Sequence, residues 1–316
     1  MHRPRAAILV LTLFAITSLP ARAAGPAFQF AFGTPGTGPG QLQLPHGLAI
    51  AVDGSVYIGD TANGRVQKFD ASGSFLAQWS ASTPGGAAID GSGNLLVIDV
   101  NFDRILRYSP TGTFLGSFGG SGAGNGQFAF PLDVGVDGSG FIYVADWLNH
   151  RIQKFTSAGT FVLSWGSQGS GPGQFGQPSS LAFASDGSVY VTDMTLDRVQ
   201  RFTADGVFVS TFGSSGSAPG QMVSPTGIVV DGNGFVIVMD AGNERVEVFR
   251  PDGSFVLEFG SPGSGQAQFN NASALDVDPQ DRLYVLDKDN ARVQVFANLA
   301  TPVRRESWGE LKTRFK

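Results

Sequence analysis

The sequence contains no cysteine among its 316 residues, and this absence removes two kinds of structure. Disulfides cannot form, so the fold depends on packing and on closure of the chain. Zinc sites built on thiolates are excluded for the same reason. Histidine is nearly as scarce: besides His2 there are only His46 and His150, too few for a three-histidine zinc site after loss of the first segment.

Positive charge is sparse in the body of the chain. Residues 24–301 hold 13 Lys and Arg against 24 Asp and Glu, a net charge of −11. An acidic body repels a phosphate backbone, so we expect no nucleic-acid partner.

Long apolar runs are absent after the first 23 residues, so we expect no transmembrane span in the remainder. The first segment begins with Arg3 and Arg5, continues with the apolar stretch 6–19 and ends in Ala21-Arg22-Ala23. This pattern predicts a signal peptide over residues 1–23 and an exported protein, either periplasmic or extracellular. A membrane anchor is the alternative, which the short apolar stretch disfavours.

Glycine, in contrast, is abundant at 44 residues, as is phenylalanine at 26, a mixture that suits short strands joined by tight turns. One pattern recurs: an Asp, an Arg five residues later and an aromatic residue nine residues later. Successive aspartates are 39, 47, 47, 47 and 47 residues apart, which indicates a repeat architecture. The six copies are Asp60/Arg65/Phe69, Asp99/Arg104/Tyr108, Asp146/Arg151/Phe155, Asp193/Arg198/Phe202, Asp240/Arg245/Phe249 and Asp287/Arg292/Phe296.

Each repeat is predicted to form four short strands. In the third, the strands are 132–136, 142–144, 152–155 and 161–165, with glycine-containing turns between them. A single sheet of this kind exposes apolar faces that only stacking can bury. The sequence therefore predicts an all-β, six-bladed β-propeller of four-stranded antiparallel blades over residues 24–300.

The sixth repeat lacks a clear fourth strand after Phe296, and a spare strand lies at 28–33. Its Phe28 and Phe32 match the spacing of Phe161 and Trp165 in the third repeat. We expect this N-terminal strand to complete the last blade and close the ring, which leaves no free edge between first and last repeats.

These residues resemble the NHL repeat family over about residues 28–297. The resemblance is carried by Gly126-Gln127-Phe128 and Gly173-Gln174-Phe175, by the proline before most first strands and by the block 146–155. The second repeat departs by missing eight residues before its first strand, and the sixth has Ala272 in place of the proline.

The resemblance implies that ligands bind on one face, formed by the loops before the first strand and between the second and third strands. We call it the loop face. The six Asp–Arg pairs are interpreted as structural, because every repeat has one. Amidating-lyase relatives use a metal and histidines, which this sequence lacks, and lactonase-like relatives use calcium. We therefore expect no cofactor, with calcium or zinc as an alternative, and no metal site.

Candidate site residues follow from positions where the repeats differ. Small polar residues dominate the positions after each proline, where a channel mouth is expected: His46, Gly85, Leu132, Ser179, Thr226 and Ser273, followed by Asp133 and Ser180. The loops after the second strands of repeats two to four are unusually apolar: Phe102, Trp147, Leu148, Met194 and Leu196. These side chains form either a contiguous patch for a partner or packing between blades.

The sequence thus favours an exported binding or scaffold propeller, expected to be monomeric, that takes a protein or carbohydrate on its loop face. The predicted ligand-binding residues are Phe102, Leu132, Trp147, Leu148, Met194, Leu196, Ser179, Ser180 and Thr226. The alternative is a lyase or hydrolase at the channel mouth, with His46 and Asp133 as an acid–base pair.

A short basic tail, residues 301–316, follows the propeller. Trp308, Leu311 and Phe315 would share one face of a helix. The tail is predicted to dock on the acidic propeller; binding to an anionic surface is the alternative.

Overall fold

A computed structural model describes residues 25–299. The predicted signal peptide and the basic tail lie outside the described residues. Within them, no helix is long and apolar enough to cross a membrane.

Six four-stranded antiparallel sheets form the blades of a propeller, as the sequence predicts. Blade 1 comprises β4 (Gly47–Ile50), β5 (Val56–Asp60), β6 (Arg65–Phe69) and β7 (Phe75–Ser80). Blade 2 comprises β8 (Pro84–Ile89), β9 (Leu95–Asp99), β10 (Arg104–Tyr108) and β11 (Phe114–Gly119). Blade 3 comprises β12 (Pro131–Val136), β13 (Ile142–Asp146), β14 (Arg151–Phe155) and β15 (Phe161–Trp165).

The second half of the ring repeats this plan. Blade 4 comprises β16 (Pro178–Phe183), β17 (Val189–Asp193), β18 (Arg198–Phe202) and β19 (Phe208–Phe212). Blade 5 comprises β20 (Pro225–Val230), β21 (Val236–Asp240), β22 (Arg245–Phe249) and β23 (Phe255–Phe259). Blade 6 comprises β26 (Ala274–Val277), β27 (Leu283–Asp287), β28 (Arg292–Phe296) and β1 (Phe28–Phe32).

Shorter elements lie in the connecting loops. Two-residue strands pair in parallel before blades 1 and 6: β2 (Thr34–Pro35) with β3 (Gln41–Leu42), and β24 (Ser261–Pro262) with β25 (Gln268–Phe269). Four 3-10 helices follow second strands: Thr61–Asn63, Val100–Phe102, Trp147–Asn149 and Ala241–Asn243.

The core lies between blades. The second strand of every blade is buried along its whole length because both of its faces meet a neighbouring sheet. In blade 3, Ile142 packs with Leu96 of blade 2, whereas the next residue, Tyr143, packs with Val191 of blade 4. Full burial of one such side chain stabilises the fold by about 1.5–3 kcal/mol, so the stacking of blades supplies most of the apolar stabilisation.

Turn glycines tie each blade to the previous one. Gly159, with φ +86°, lies in the turn before β15, and a Cβ there would be 2.8 Å from the ring of Phe118 in blade 2. Gly73 has the same relation to Phe32 in blade 6. Both the left-handed backbone and the close aromatic contact require glycine.

The ring closes as expected. β1 pairs antiparallel with β28, and Phe28 lies opposite Phe296 with ring centroids 6.0 Å apart. The first strands β4, β8, β12, β16, β20 and β26 contact one another in succession around the axis, which leaves a central channel.

Candidate functional site

The repeat aspartates anchor the loops that form the loop face. Asp60 is fully buried and accepts hydrogen bonds from Arg65 Nε at 2.7 Å and from the backbone N–H of Gln43 at 2.7 Å. Arg65 also donates to the carbonyls of Gly38 and Gln41, both at 2.8 Å. The pair therefore holds the incoming loop on its own blade, a structural task that charge-assisted hydrogen bonds perform well.

The other five pairs also place the repeat arginine beside the repeat aspartate, but only four of those arginines, all except Arg104, donate to carbonyls of the incoming loop. The nitrogen–oxygen distances are 2.9 Å for Arg104–Asp99, 2.7 Å for Arg151–Asp146, 3.7 Å for Arg198–Asp193, 2.9 Å for Arg245–Asp240 and 2.7 Å for Arg292–Asp287.

A second set of contacts links neighbouring blades. Asp103 accepts the backbone N–H of Phe130 at 2.8 Å, and Asp197 does the same for Ser224. His150 occupies the equivalent position in blade 3, and its Nδ1 contacts the carbonyl of Gly176. This histidine is therefore part of the contact between blades 3 and 4.

The central channel forms a cavity of about 450 Å³ whose wall comes from all six blades. It brings together many of the residues predicted from sequence: His46, Leu132, Asp133, Ser179, Ser180, Met194 and Thr226. Met194 thus faces the channel, away from the apolar loop residues with which the sequence grouped it.

The channel hydroxyls already donate hydrogen bonds to neighbouring blades. Ser179 Oγ donates to the carbonyl of Pro225 at 2.9 Å, and Thr226 Oγ1 donates to that of Ala272 at 3.0 Å. Ser180 Oγ donates to Asp133 Oδ2 at 2.6 Å. These hydrogen bonds link adjacent blades. Because the hydroxyl protons are used in them, the hydroxyl oxygens can serve a ligand only as hydrogen-bond acceptors.

Two carboxyl groups line the channel. Burial raises the pKa of Asp133 to about 6, opposed by hydrogen bonds from Ser180 and from the backbone N–H of Leu181. Burial raises the pKa of Asp276 to about 7, and the negative charge of Asp133 raises it further. Asp276 accepts the N–H of Ile50 at 2.8 Å. Both groups can therefore exchange a proton near neutral pH.

His46 supplies a third titratable group. Burial and, to a smaller extent, the positive charge of Lys288 lower the pKa of His46 to about 4. The imidazole is consequently neutral at pH 7 and can accept a hydrogen bond. His46, Asp133 and Asp276 therefore bring three titratable side chains to one channel.

The channel does not fit a metal ion. Within residues 25–299, no three His, Asp or Glu side chains cluster as metal ligands. Asp133 and Asp276 also use their oxygens to accept backbone N–H groups. The carboxyl groups of the channel therefore do not fit calcium or zinc.

An apolar patch lies on the loop face of blades 2 and 3. We define the loop-face patch as Phe102, Phe130, Trp147 and Leu148. Phe102 is 54% exposed, Leu148 50% and Phe130 42%. The rings of Phe130 and Trp147 are in tilted contact, with centroids 5.3 Å apart, and the backbone N–H of Phe130 donates to Asp103, the residue next to Phe102. Leu196, predicted to join this set, is half-buried and lies beside Gly176.

Sequence reasoning missed three residues. Phe130 precedes Pro131 at φ +53°, and Asp276 and Lys288 approach the channel from blade 6. Alignment of the repeats shows the signal for Asp276. At that position the other repeats have Ala49, Ala88, Gly135, Ala182 and Val229, so one carboxylate stands out.

Comparison with known proteins agrees with this architecture. NHL repeats match at residues 42–69, 128–155 and 269–296. No curated protein matches the chain by sequence.

Among solved structures, a gluconolactonase from Xanthomonas campestris is similar, with a TM-score of 0.63 and 19% identity over 88% of this chain and 98% of that one. Virginiamycin B lyase from Staphylococcus aureus has a TM-score of 0.57 and 15% identity, over 81% of this chain and 85% of that one. A Bacteroides thetaiotaomicron protein of unknown function has a TM-score of 0.68 and 16% identity, over 87% of this chain and 75% of that one. At these identities the likeness shows the fold alone.

Proposed function

We propose that the chain is an exported binding propeller that takes a protein or carbohydrate partner on its loop face. The observation that carries this proposal is the loop-face patch. Three large apolar side chains from two adjacent blades are 42–54% exposed there, and one of them, Phe130, contacts the ring of Trp147. Aromatic anchors grouped in this way are typical of binding hot spots.

The position of the patch supports a partner that covers both blades. Phe102 comes from blade 2, whereas Trp147 and Leu148 come from blade 3. Phe130 bridges them because its backbone binds Asp103 and its ring contacts Trp147. Each of these loops begins at a buried repeat aspartate, Asp99 or Asp146, that is paired with its repeat arginine, which restrains the patch before binding.

The test compares the wild type with a Phe102→Ala/Trp147→Ala double variant. Binding is measured against a panel of immobilised polysaccharides and a displayed peptide library. We expect loss of at least tenfold in affinity for the selected partner, with thermal unfolding unchanged within about 2 °C. A matched control, Leu76→Ala/Leu115→Ala, removes two outer-strand side chains that are each 52% exposed. Equal affinity in the double variant and the control contradicts the proposal; a large fall in melting temperature reassigns the patch to packing.

A second candidate function is a hydrolase or lyase acting in the channel. The observation that favours it is the grouping of His46, Asp133 and Asp276 in one cavity of about 450 Å³, large enough for a small cyclic substrate. The similarity of the fold to a gluconolactonase and to virginiamycin B lyase makes cyclic esters reasonable substrates to try first.

This candidate is tested by proton release from a panel of lactones. We expect turnover in the wild type and at least a hundredfold loss in separate His46→Ala and Asp276→Asn variants, because both lose an acid–base group. Turnover that survives in both variants excludes these residues as the catalytic set.

A further inference from the structure

Blade 2 lacks a segment that the other five blades hold. Twelve residues separate Phe32 from Pro45 before blade 1, but only four separate Trp79 from Pro84 before blade 2. In each complete blade, the repeat arginine donates through Nη2 to two carbonyls of a four-residue turn in that loop. The turns are 38–41, 124–127, 171–174, 218–221 and 265–268.

Arg104 is left without this turn. Its Nε and Nη2 both donate to Asp99 Oδ2, at 3.0 and 2.9 Å, and within residues 25–299 its Nη1 has no acceptor. The side chain is 39% exposed, compared with 11% for Arg65 in blade 1. Arg104 thus presents its Nη1 donors to solvent, whereas Arg65 Nη1 donates to the carbonyl of Thr37 at 2.8 Å.

Asp99 also lacks the contact with the incoming loop that its counterparts make. In complete blades the Oδ1 oxygen accepts a backbone N–H of the incoming loop, as from Gln43 to Asp60 at 2.7 Å and from Ala129 to Asp146 at 2.8 Å. Asp99 is 1% exposed, and its Oδ1 is buried without a partner in the described part of the chain. An unpaired buried carboxylate oxygen is unfavourable, so blade 2 has an incomplete network.

An aromatic ring borders these groups. The Arg104 guanidinium lies 4.8 Å from the ring centroid of Phe102, which is more than half exposed. Beside them, Leu106 replaces the glutamine that in blade 1, as Gln67, binds the turn at Gly40 and Gln41. The site therefore combines free guanidinium donors with apolar surface, which suits a peptide backbone carrying an apolar side chain.

We infer that blade 2 binds a glycine-containing polypeptide turn of a partner protein. The turn occupies the place where each of the other blades holds such a turn of its own chain. Its carbonyls accept hydrogen bonds from Arg104, and a neighbouring side chain packs on Phe102. The inference rests on the proposed binding function and narrows the partner from protein or carbohydrate to a polypeptide.

The probe is an acetylated and amidated peptide that copies residues 34–44, titrated into the full-length ¹⁵N-labelled protein. We expect a saturable shift of the Arg104 Nε–H signal and of the Phe102 amide. Arg104→Ala should weaken the peptide at least tenfold. Arg250→Ala, which removes an exposed arginine from a turn of blade 5, is the matched control and should leave affinity unchanged. A scrambled peptide of the same composition should bind at least tenfold more weakly.

A loop graft provides an independent readout. Inserting a copy of residues 34–41 between Ser80 and Ala81 restores the missing eight residues, so Arg104 gains its turn in the same chain. We expect a higher melting temperature and loss of peptide binding. Peptide affinity that is the same in Arg104→Ala and wild type, or unaltered by the graft, overturns the inference.

The two proposals can fail separately. Trp147→Ala lies outside the turn site and should weaken the selected partner without changing affinity for the peptide. If the peptide does not bind while patch variants still lose their partner, only the turn site is refuted.

Discussion

Replacing Glu247 by Gln should remove a pH-dependent weakness from blade 5. Four blades have a buried glutamine at this position, blade 2 has leucine and blade 5 has Glu247; the glutamines are Gln67, Gln153, Gln200 and Gln294. In blade 5, Arg245 forms 2.9 Å contacts with Asp240, Glu247 and Glu258. One cation therefore faces three carboxyl groups, and desolvation raises the pKa of Glu247 to about 8, although Arg245 opposes the shift.

The sign of the effect follows from linkage. Because the pKa in the folded state lies above the unfolded value of 4.5, the folded chain binds more protons between these values. Stability is therefore lost as the pH rises from about 4.5 to about 8. At about 1.4 kcal/mol per pKa unit, the upper bound of the loss is about 5 kcal/mol. Because Glu258 contacts the same arginine, Arg245, and shares its charge, we expect a loss of about 2–4 kcal/mol.

The assay is urea unfolding of the wild type and Glu247→Gln at pH 5, 7 and 9. The variant should match the wild type within about 1 kcal/mol at pH 5 and exceed it by about 2–4 kcal/mol at pH 9, because glutamine cannot ionise. The reverse change in blade 1, Gln67→Glu, places a carboxyl group beside Asp60 and should introduce the same decline. Parallel stability curves for wild type and Glu247→Gln from pH 5 to 9 would refute the reasoning.

Two further predictions concern closure and the repeat pairs. Phe32→Ala should lower the free energy of unfolding by about 3–5 kcal/mol, because this buried ring lies 5.1 Å from Phe69 across the closing blades; a loss no larger than that of exposed Leu76→Ala would contradict a closing role. Arg65→Ala should lower it by about 3–5 kcal/mol by leaving buried Asp60 without its cation. Arg104→Ala should lower the free energy of unfolding by about half as much or less, because Arg104 binds no loop. Equal losses for the two variants in denaturant titrations would show that the contacts with the turn contribute nothing to stability.

The sequence by itself determined the repeat, the blade count and the closing strand. The Asp–Arg–aromatic pattern recurs in register, and each strand can be predicted from its own residues and turns, because strand pairing within a blade joins neighbours in the chain. The apolar fourth strand missing after Phe296 and the spare one at Phe28 were both visible in the sequence. The absence of eight residues before blade 2 was equally visible, but its consequence for Arg104 was not.

Only the tertiary structure decided which side chains meet at the axis and on the loop face. Asp133 and Asp276 act on one another across the channel although they lie in blades 3 and 6. Ser179 looks like a free hydroxyl in sequence, but the carbonyl of Pro225 in the next blade accepts its hydrogen bond. Phe130 joins Trp147 because the chain turns at positive φ before Pro131. In each case the contact partner comes from another blade or depends on a local backbone turn. The distance between the two side chains is fixed by closure of the ring, and it cannot be read from the pattern of residues.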